Sequence, residues 1–346
     1  MLADIRAVTF MRPSAPCEDM KATAIAHPIQ GLVKYHGLRD DLERYPYHDS
    51  ISVCTAPSHS KTTVEFSMDY DEDVFVVDGE ELSGHGFDRL ERVVEKARGL
   101  SDAAHTVYPC RIESENNFPT NVGLGSSSSG FAAAATALAA AAELDASPAE
   151  ISTIARVGSS SAARAVTGAF SVLTQGLNDE DCRARRLPTT LHEDLRIVVA
   201  LVPYHKDTDD AHAEAADSHM FDARRAYVAD QLAEMKDALR NDDFERTFDL
   251  AEKDSLSLAA TTMTGPDGWV YWQPATLAVF NAVRELREDG IPAYFSTDTG
   301  ASVYVNTTDE HVETVEEAVS DTGVSTTTWQ VGGPAQLLED EDDHLF

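Results

Sequence analysis

Residues 119–130 read Pro-Thr-Asn-Val-Gly-Leu-Gly-Ser-Ser-Ser-Ser-Gly, and an alanine-rich apolar segment, residues 131–144, follows directly. Alanine and leucine lose little entropy in a helix, so the second segment predicts a buried helix. Glycines let backbone N–H groups approach a polyanion, and a helix N-terminus adds oriented donors and the positive end of its dipole. Serine hydroxyls can bind phosphate or its magnesium ion. The stretch therefore indicates a phosphate-binding loop.

This stretch has two alternative interpretations. It is not a Walker A loop, because no lysine follows the second glycine. It can also be a flexible Gly/Ser turn, although such linkers rarely run directly into a strongly helical apolar segment. A phosphate-binding loop is the interpretation that accounts for both the Gly/Ser-rich residues and the helical segment that follows them.

Length and composition restrict the class of protein. A chain of 346 residues favours two domains over one. The net charge of −33 opposes binding to nucleic acid or to anionic membranes. No apolar run approaches the roughly 18 residues of a membrane span, and the first twenty residues lack a signal peptide's apolar stretch, so a cytoplasmic enzyme is expected. The four cysteines form no CxxC pair, which predicts free thiols rather than zinc or disulfides: Cys17, Cys54, Cys110 and Cys182.

The charge also predicts a halophilic protein. Asp and Glu number 60 against 27 Lys and Arg, and self-repulsion of this size is screened only by concentrated salt. We expect the fold to require molar salt. Full activity and helicity after dialysis into dilute buffer would contradict this expectation.

Hydrophobic periodicity predicts an α+β fold, because strands and helices alternate without a regular βαβ rhythm. The domain boundary is expected near residues 185–195, giving an ATP-binding domain over 1–190 and a second domain over 191–346. The predicted strands are 22–35, 50–54, 62–66, 106–114, 170–174, 195–203, 293–306 and 325–331. The predicted helices are 87–100, 131–144, one opening at Pro148, and then 223–239, 243–262, 275–288 and 311–320.

The loop and the residues that precede it resemble the corresponding segment of a known protein family. Residues 114–120, Ser-Glu-Asn-Asn-Phe-Pro-Thr, followed by Gly-Leu-Gly-Ser-Ser at 123–127, look like the phosphate loop of the GHMP kinase superfamily, and the lead-in resembles mevalonate diphosphate decarboxylases. The resemblance implies a first domain like domain 2 of ribosomal protein S5, a ferredoxin-like second domain, and an active site in the cleft between them. It assigns ATP binding to Asn121, Gly123, Leu124, Gly125, Ser126, Ser127 and Ser128, with Ser127 as the magnesium ligand.

A second patch, Val-Lys-Tyr-His-Gly-Leu-Arg-Asp at residues 33–40, is similar to the family's Lys-Tyr-Trp-Gly-Lys-Arg-Asp. The correspondence makes Lys34 the active-site lysine and places Tyr35 at the substrate. His36 replaces the tryptophan and Leu38 replaces the second lysine. Without the resemblance, a lysine at the end of a strand reads as an ordinary surface residue.

A third patch, Gly-Ser-Ser-Ser-Ala-Ala-Arg at 158–164, resembles the family's Gly-Ser-Gly-Ser-Ala-Cys-Arg. At the start of a helix, Ser159 and Ser161 can lie near phosphate or substrate while Arg164 projects about one turn further on. A guanidinium matches a carboxylate with two parallel hydrogen bonds, and the family role of Arg164 is to hold the substrate carboxylate. The alternative for Arg164 is an ion pair on a helix surface.

The fourth patch, residues 293–302, resembles the family's Tyr-Thr-Phe-Asp-Ala-Gly-Pro-Asn and makes Asp298 the catalytic aspartate. Aspartate near glycine is commonly only a turn former. Ala301 and Ser302 stand in place of the family's Pro-Asn, which leaves the geometry after Gly300 open.

Together the four patches imply an ATP-dependent carboxy-lyase that uses magnesium. Such an enzyme phosphorylates a tertiary alcohol and then releases carbon dioxide and phosphate. A mevalonate 3-kinase would share the loop without needing Lys34, Arg164 and Asp298 together. A regulator that binds nucleotide without catalysis would be expected to have a damaged loop or acid, and neither is seen. Family members are commonly dimers, so a homodimer is expected.

The expected substrate is mevalonate 5-phosphate and the expected product isopentenyl phosphate. Diphosphate-specific members follow the strand at 195–203 with basic residues and a serine pair, whereas residues 204–213 here read Tyr-His-Lys-Asp-Thr-Asp-Asp-Ala-His-Ala. Only Lys206 remains as a phosphate contact, and added carboxylates would repel a diphosphate. Leu38 lowers the positive charge further. The alternative is a diphosphomevalonate decarboxylase whose site is completed by other basic residues: Arg39, Arg156 or Arg224.

Overall fold

The described residues form two large β-sheets with helices packed against them, and a small two-stranded sheet of residues 38–40 and 45–46. The computed structural model describes residues 21–119, 124–204 and 214–346. The strands are β1 Lys21–Ala26, β2 Ile29–Val33, β3 Leu38–Asp40, β4 Tyr45–Pro46, β5 Ser50–Ala56, β6 Ser60–Phe66, β7 Val74–Val77, β8 Glu80–Glu81, β9 Cys110–Asn116, β10 Phe170–Leu173, β11 Ala184–Arg186, β12 Leu195–Leu201, β13 Tyr294–Ser296, β14 Val303–Thr308, β15 Ser325–Val331 and β16 Gln336–Leu338. The α-helices are α1 Gly84–Leu100, α2 Ser126–Ala141, α3 Pro148–Gly158, α4 Ser160–Thr167, α5 Phe221–Arg240, α6 Phe244–Met263, α7 Pro274–Glu288 and α8 Val312–Ser320.

The first sheet has the order β16-β1-β6-β9-β7-β8. In β9, Cys110, Ile112 and Ser114 are buried and alternate with the more exposed Arg111 and Glu113, so one face of the strand meets a core. Helix α2 packs on β1 and β6, and its buried alanines allow close approach to this face. The helix that carries the phosphate loop is thereby fixed to the sheet.

The second sheet has the order β11-β10-β5-β15-β12-β14-β13, with β2 also paired to β5. One edge of β5 is shared by β10, which pairs along residues 50–53, and by β15, which pairs at Thr55 and Ala56; β2 pairs with the other edge. A buried apolar cluster includes Leu32 and Ile51 from the first half of the chain and Val199 and Phe248 from the second. The two halves therefore meet through a common sheet and a common core.

The α+β class is confirmed, and the predicted division near residue 190 stays a prediction. Two pairings cross that point, since β15 joins β5 and β16 joins β1. Strand β16 thus belongs to the same sheet as β1, the first strand of the described residues.

Three predicted strands differ from the structure. The strand expected over 22–35 is interrupted at His27 and Pro28, and proline has no N–H to donate to a ladder. The strand expected over 106–114 begins only at Cys110, because residues 104–107 form a short 3₁₀ turn. The strand expected over 293–306 is two strands, β13 and β14, and Asp298 lies in the connection between them.

The segment after the acidic residues 339–343 is anchored to the first sheet. The hydroxyl of Thr23 lies 2.7 Å from Nδ1 of His344, and the backbone N–H of Leu345 donates to Thr63 at 3.0 Å. Lys21 donates to the backbone oxygen of Phe346 at 3.0 Å and lies 4.7 Å from the centre of its ring. The end of the chain is therefore held against β1 and β6.

Among the described residues, Cys54, Cys110 and Cys182 are buried free thiols; Cys17 lies outside them. No helix in the described part of the chain is long and apolar enough to cross a membrane.

Candidate active site

The phosphate loop ends in a left-handed glycine at the start of α2. Gly125 has φ +76° and ψ 26°, a conformation that side chains rarely adopt, and it caps the helix that begins at Ser126. The hydroxyl of Ser128 donates to the carbonyl of Gly125 at 2.6 Å and accepts from the backbone N–H of Ile29 at 3.1 Å. Ser128 therefore ties the helix start to β2, and its hydroxyl proton is used within the protein.

Two serine hydroxyls at this helix start are available to a ligand. Ser126 is half-buried and Ser127 is exposed, and neither side chain hydrogen-bonds to another described residue. Leu124 is buried in the core shared by both halves, so only its backbone can face a nucleotide. Predicted loop residues Asn121 and Gly123 lie outside the described residues. Hydroxyls at the N-terminus of a sixteen-residue helix fit phosphate and its magnesium ion.

Strand β2 connects this loop to the predicted reacting centre. Ile29 contacts Ser128, and two residues further on the backbone N–H of Gly31 lies 3.4 Å from Oδ2 of Asp298. A Cβ atom added at Gly31 would lie 2.7 Å from Cγ of Lys34 and 2.8 Å from Oδ1 of Asp298. Only glycine lets both side chains close over the strand.

Lys34 is 5% exposed, and its ammonium has three hydrogen-bond partners. Nζ lies 3.0 Å from Oγ of Ser255, 3.2 Å from Oγ of Ser296 and 3.4 Å from Oδ2 of Asp254. Burial lowers the pKa of Lys34, and the negative charges of Asp254 and Asp298 oppose that shift. The surface alternative for this lysine is therefore wrong.

Asp298 is partly buried between the two predicted cations. Burial raises its pKa, while the charge of Lys34, the N–H of Gly31 and the charge of Arg164 act in the opposite direction. A carboxylate with a raised pKa is a better proton acceptor than an ordinary aspartate, and it is held here by two positive charges. An aspartate that only formed a turn would not need two positive charges beside it, so the turn-forming alternative does not account for this environment.

Arg164, on α4, is 2% exposed and has no ion pair with a carboxylate among the described residues. Its Nε donates to Ser52 at 3.0 Å and its Nη1 donates to Ser50. Burial lowers the pKa of Arg164 to about 10. A buried guanidinium held only by neutral hydroxyls is prepared for an anionic ligand, and the surface ion-pair alternative for it is wrong.

The remaining predicted substrate residues lie beside Arg164. The guanidinium carbon is 5.5 Å from the centre of the Tyr35 ring, and the Tyr35 hydroxyl is 3.3 Å from Oγ of Ser161. Ser159 is buried at the N-terminus of α4. The structure thus brings together Tyr35, Ser159, Ser161 and Arg164, and their contacts with a substrate stay predictions. Lys206 lies outside the described residues.

Sequence reasoning missed Asp254, Gly31, Ser50 and Ser52, and it considered Arg224 only as a possible diphosphate contact. Asp254 and Arg224 surround Lys34, Gly31 makes room for it, and Ser50 and Ser52 hold Arg164. Ser50 and Ser52 could have been recognised in the sequence, because they alternate with Ile51 and Val53 along one strand. The other three carried no local signal.

The three arginines that were alternatives for a diphosphate have protein partners. Arg156 is fully buried and pairs with Asp179 at 2.7 Å, and Arg224 pairs with Asp254 at 3.0 Å. Arg39 donates to the carbonyls of Pro46 and Gly176. All three guanidinium groups are already engaged within the protein.

Comparison with known proteins identifies the family of this chain. Residues 26–184 match the family model of the diphosphomevalonate decarboxylase-like N-terminal domain. A phosphomevalonate decarboxylase from Haloferax volcanii is 66% identical over 328 residues, which cover 94% of this chain and 100% of that protein. Its source agrees with the halophilic character predicted from charge.

Solved structures give the same result. MDDEF in complex with MVAPP, AMPPCP and magnesium has a TM-score of 0.86 and 28% identity, covering 92% of this chain and 99% of that chain. Mevalonate diphosphate decarboxylase from Staphylococcus aureus has a TM-score of 0.86 and 26% identity, covering 92% and 98%. The predicted fold and family are confirmed, and the chain belongs to the phosphomevalonate and diphosphomevalonate decarboxylase family of the GHMP kinase superfamily.

Proposed function

We propose that this protein converts mevalonate 5-phosphate and ATP to isopentenyl phosphate, ADP, phosphate and carbon dioxide. The observation that carries the proposal is the convergence of Lys34, Asp298 and Arg164 around Gly31, next to a helix N-terminus that presents free serine hydroxyls. The relative from Haloferax volcanii carries the corresponding name.

In the first step the C3 hydroxyl oxygen bonds to the γ-phosphorus while the bond to the leaving ADP breaks. Asp298 orients that hydroxyl and accepts its proton, a role that its raised pKa favours. Lys34 supplies positive charge beside the transferring group.

In the second step the bond from C3 to the phosphate oxygen breaks, and phosphate leaves with the electron pair. Arg164 holds the carboxylate so that the bond between C1 and C2 is aligned with the emptying orbital at C3. The pair from that bond forms the C2–C3 double bond as carbon dioxide leaves. Once Asp298 has passed its proton to the phosphate group, its restored negative charge stabilises the positive charge that develops at C3.

ATP and magnesium fit the loop. The backbone around Gly125 and the hydroxyls of Ser126 and Ser127 would hold the phosphates, with Ser127 as the magnesium ligand. The residues Asn121 and Gly123 belong to the same proposed contact. When bound, magnesium neutralises the triphosphate and helps to orient its terminal group.

Preference for a monophosphate is supported by the small number of uncommitted cations. Arg156 and Arg224 are each paired with a carboxylate, and Arg39 bonds two carbonyls. Leu38 adds no charge, which leaves Lys206 as the proposed phosphate contact. One phosphate needs less neutralisation than two.

The deciding measurement is kcat/KM for mevalonate 5-phosphate and for its diphosphate at molar salt, with ADP and carbon dioxide assayed together. We expect both products in equal amounts and a clear preference for the monophosphate. Preference for the diphosphate would make this a diphosphomevalonate decarboxylase. ADP without carbon dioxide would make it a 3-kinase, and nucleotide binding without turnover would make it a regulator.

Two further parts of the proposal concern the protein in the cell. The acidic composition fits a cytoplasmic enzyme of a salt-loving cell that binds only ATP and a small-molecule substrate. We also propose a homodimer. Sedimentation at molar salt tests it, and a monomer mass would contradict it.

A further inference from the structure

Asp254 lies at the centre of a closed set of contacts behind Lys34. Its Oδ2 accepts from the backbone N–H of Lys34 at 3.0 Å and faces the ammonium of the same residue at 3.4 Å. Its Oδ1 accepts from Arg224 at 3.0 Å, and Arg224 also donates to the carbonyl of Lys34 at 2.7 Å. One carboxylate therefore fixes both the main chain and the side chain of Lys34.

These three residues are among the most buried charged groups of the site. Asp254 is 0% exposed, Arg224 is 3% exposed and Lys34 is 5% exposed. Two buried cations side by side repel each other and lose their hydration, and a shared carboxylate offsets both costs. Without Asp254, Lys34 and Arg224 would face each other with only Asp298 nearby.

Asp254 cannot itself take part in the chemistry. Both of its oxygens are occupied by donors from Lys34 and Arg224, and its side chain does not reach the surface of the cleft. It acts on the reaction only through the residue that it holds.

We propose that Asp254 is a positioning residue that keeps Lys34 protonated and directed toward the reacting centre, with Arg224 locking Asp254 in place. The inference rests on the proposed function, because Lys34 is its catalytic lysine. The carboxylate of Asp254 contacts both the backbone N–H and the side-chain ammonium of Lys34. Because all the rotatable bonds of the lysine side chain lie between these two groups, the two contacts together favour one position of the ammonium.

The charged groups that face Lys34 determine the direction in which each substitution should shift the pKa of this lysine. Asp254 on α6 and Asp298 in the loop after β13 raise the pKa of Lys34, whereas Arg224 on α5 lowers it. Ser255 and Ser296 are the neutral partners. Removing Asp254 and removing Arg224 break the same set of contacts, yet they must move the protonation of Lys34 in opposite directions.

The first experiment measures kcat and KM against pH for Asp254→Asn and Arg224→Gln. Asp254→Asn should lower kcat by about 10- to 100-fold, because a small misplacement of a catalytic group has effects of this size. Its alkaline limb should move to lower pH, since an opposite charge has been lost. In Arg224→Gln the alkaline limb should move to higher pH.

The matched control is Asp249→Asn. Asp249 is on the same helix, but its side chain is 48% exposed and its ion-pair partner among the described residues is Lys253, one turn away. This variant loses the same charge and should keep wild-type kcat and pH profile. Limbs that move in the same direction in Asp254→Asn and Arg224→Gln, or not at all, would reduce Asp254 to a structural residue and overturn the proposal.

A second experiment observes Lys34 without any turnover. The chain has seven lysines, so ¹⁵N-labelled side-chain amines give a simple NMR spectrum, and Lys34→Arg identifies the Lys34 signal. This signal should titrate at lower pH in Asp254→Asn and at higher pH in Arg224→Gln. An unchanged titration in both would overturn the proposal.

These measurements separate the inference from the proposed function. Wild-type enzyme that releases no carbon dioxide refutes the function, whereas the NMR titration still tests the contact between Asp254 and Lys34. Should Asp254→Asn fail to fold, Arg224→Gln is compared with Arg224→Lys, which keeps the positive charge. The upward shift should appear in Arg224→Gln and not in Arg224→Lys, and equal shifts in both would overturn the proposal.

Discussion

The proposed phosphate loop and the proposed reacting centre offer different kinds of groups to negative charge. The described part of the loop offers a left-handed glycine, a helix N-terminus and two free hydroxyls, with no charged side chain. The reacting centre uses a buried lysine, a buried arginine and an aspartate. Dipoles suffice where a phosphate group is only held, because they avoid the cost of burying ions. Full charges are placed where charge changes during the reaction.

This difference predicts that substitutions in the two regions will have separable effects. Changes at the loop should weaken ATP binding, and changes at the reacting centre should lower turnover at saturating ATP. Strand β2 contacts both regions, so a substitution there can affect ATP binding and turnover together.

The largest effect is expected for Asp298→Asn. The amide keeps the shape but removes the proton acceptor and the negative charge, so kcat should fall by about 10³-fold with little change in ATP affinity. The exposed Asp289→Asn is the control for a neutralised aspartate and should behave as wild type. Near-normal turnover of Asp298→Asn would remove Asp298 from the mechanism.

Arg164→Lys should lower kcat/KM for the substrate by about 10²-fold. An ammonium cannot make two parallel hydrogen bonds, and one charge-assisted bond contributes about 1.5–3 kcal/mol. A titration of ATP should be unaffected. A variant with unchanged kinetics would show that Arg164 only supports β5 through Ser50 and Ser52.

Gly31→Ala tests the link between the two regions. The added methyl group would press on Lys34 and Asp298, so kcat should fall between about 10- and 100-fold. Because Ile29 and its contact with Ser128 are retained, ATP affinity should stay within about twofold. An equal loss of ATP affinity would mean that β2 couples the loop to the centre and that the two regions are not independent.

The smallest effect is expected at the loop. Gly125→Val forces a side chain into φ +76° and against the carbonyl of Ile29, so ATP should bind about tenfold more weakly. Gly130→Ala is the matched control, since its new methyl group meets no other atom within 4 Å and alanine favours the helix. Unaltered ATP affinity in Gly125→Val would mean that the nucleotide lies elsewhere.

Local features were readable from the sequence. Helix α2 follows from a continuous run of good helix formers, and the start of α3 follows from Pro148. Residues inside the quoted motifs, such as Lys34 and Arg164, were found because the motif names them. Each of these inferences needs only neighbours in the chain.

Contacts between distant parts of the chain were not readable. Asp254 is 220 positions from Lys34, and nothing in its own helix distinguishes it from the exposed Asp249. Gly31 reads as an ordinary glycine until the side chains above it are placed. The loop around Asp298 was hidden within a stretch of strand-forming residues, because hydrophobic periodicity does not detect a turn that is itself buried.

The pairing of β16 with β1 has a consequence for how the protein is made. Residues 336–338 form the outer strand next to the first described strand, 23–25. During synthesis the first sheet therefore exposes the edge of β1 until almost the whole of this sequence has left the ribosome. An unpaired edge can join another chain, so crowded, incomplete chains are open to misassembly at β1. The edge of β1 is covered only after residues 336–338 have been synthesised and have paired with it.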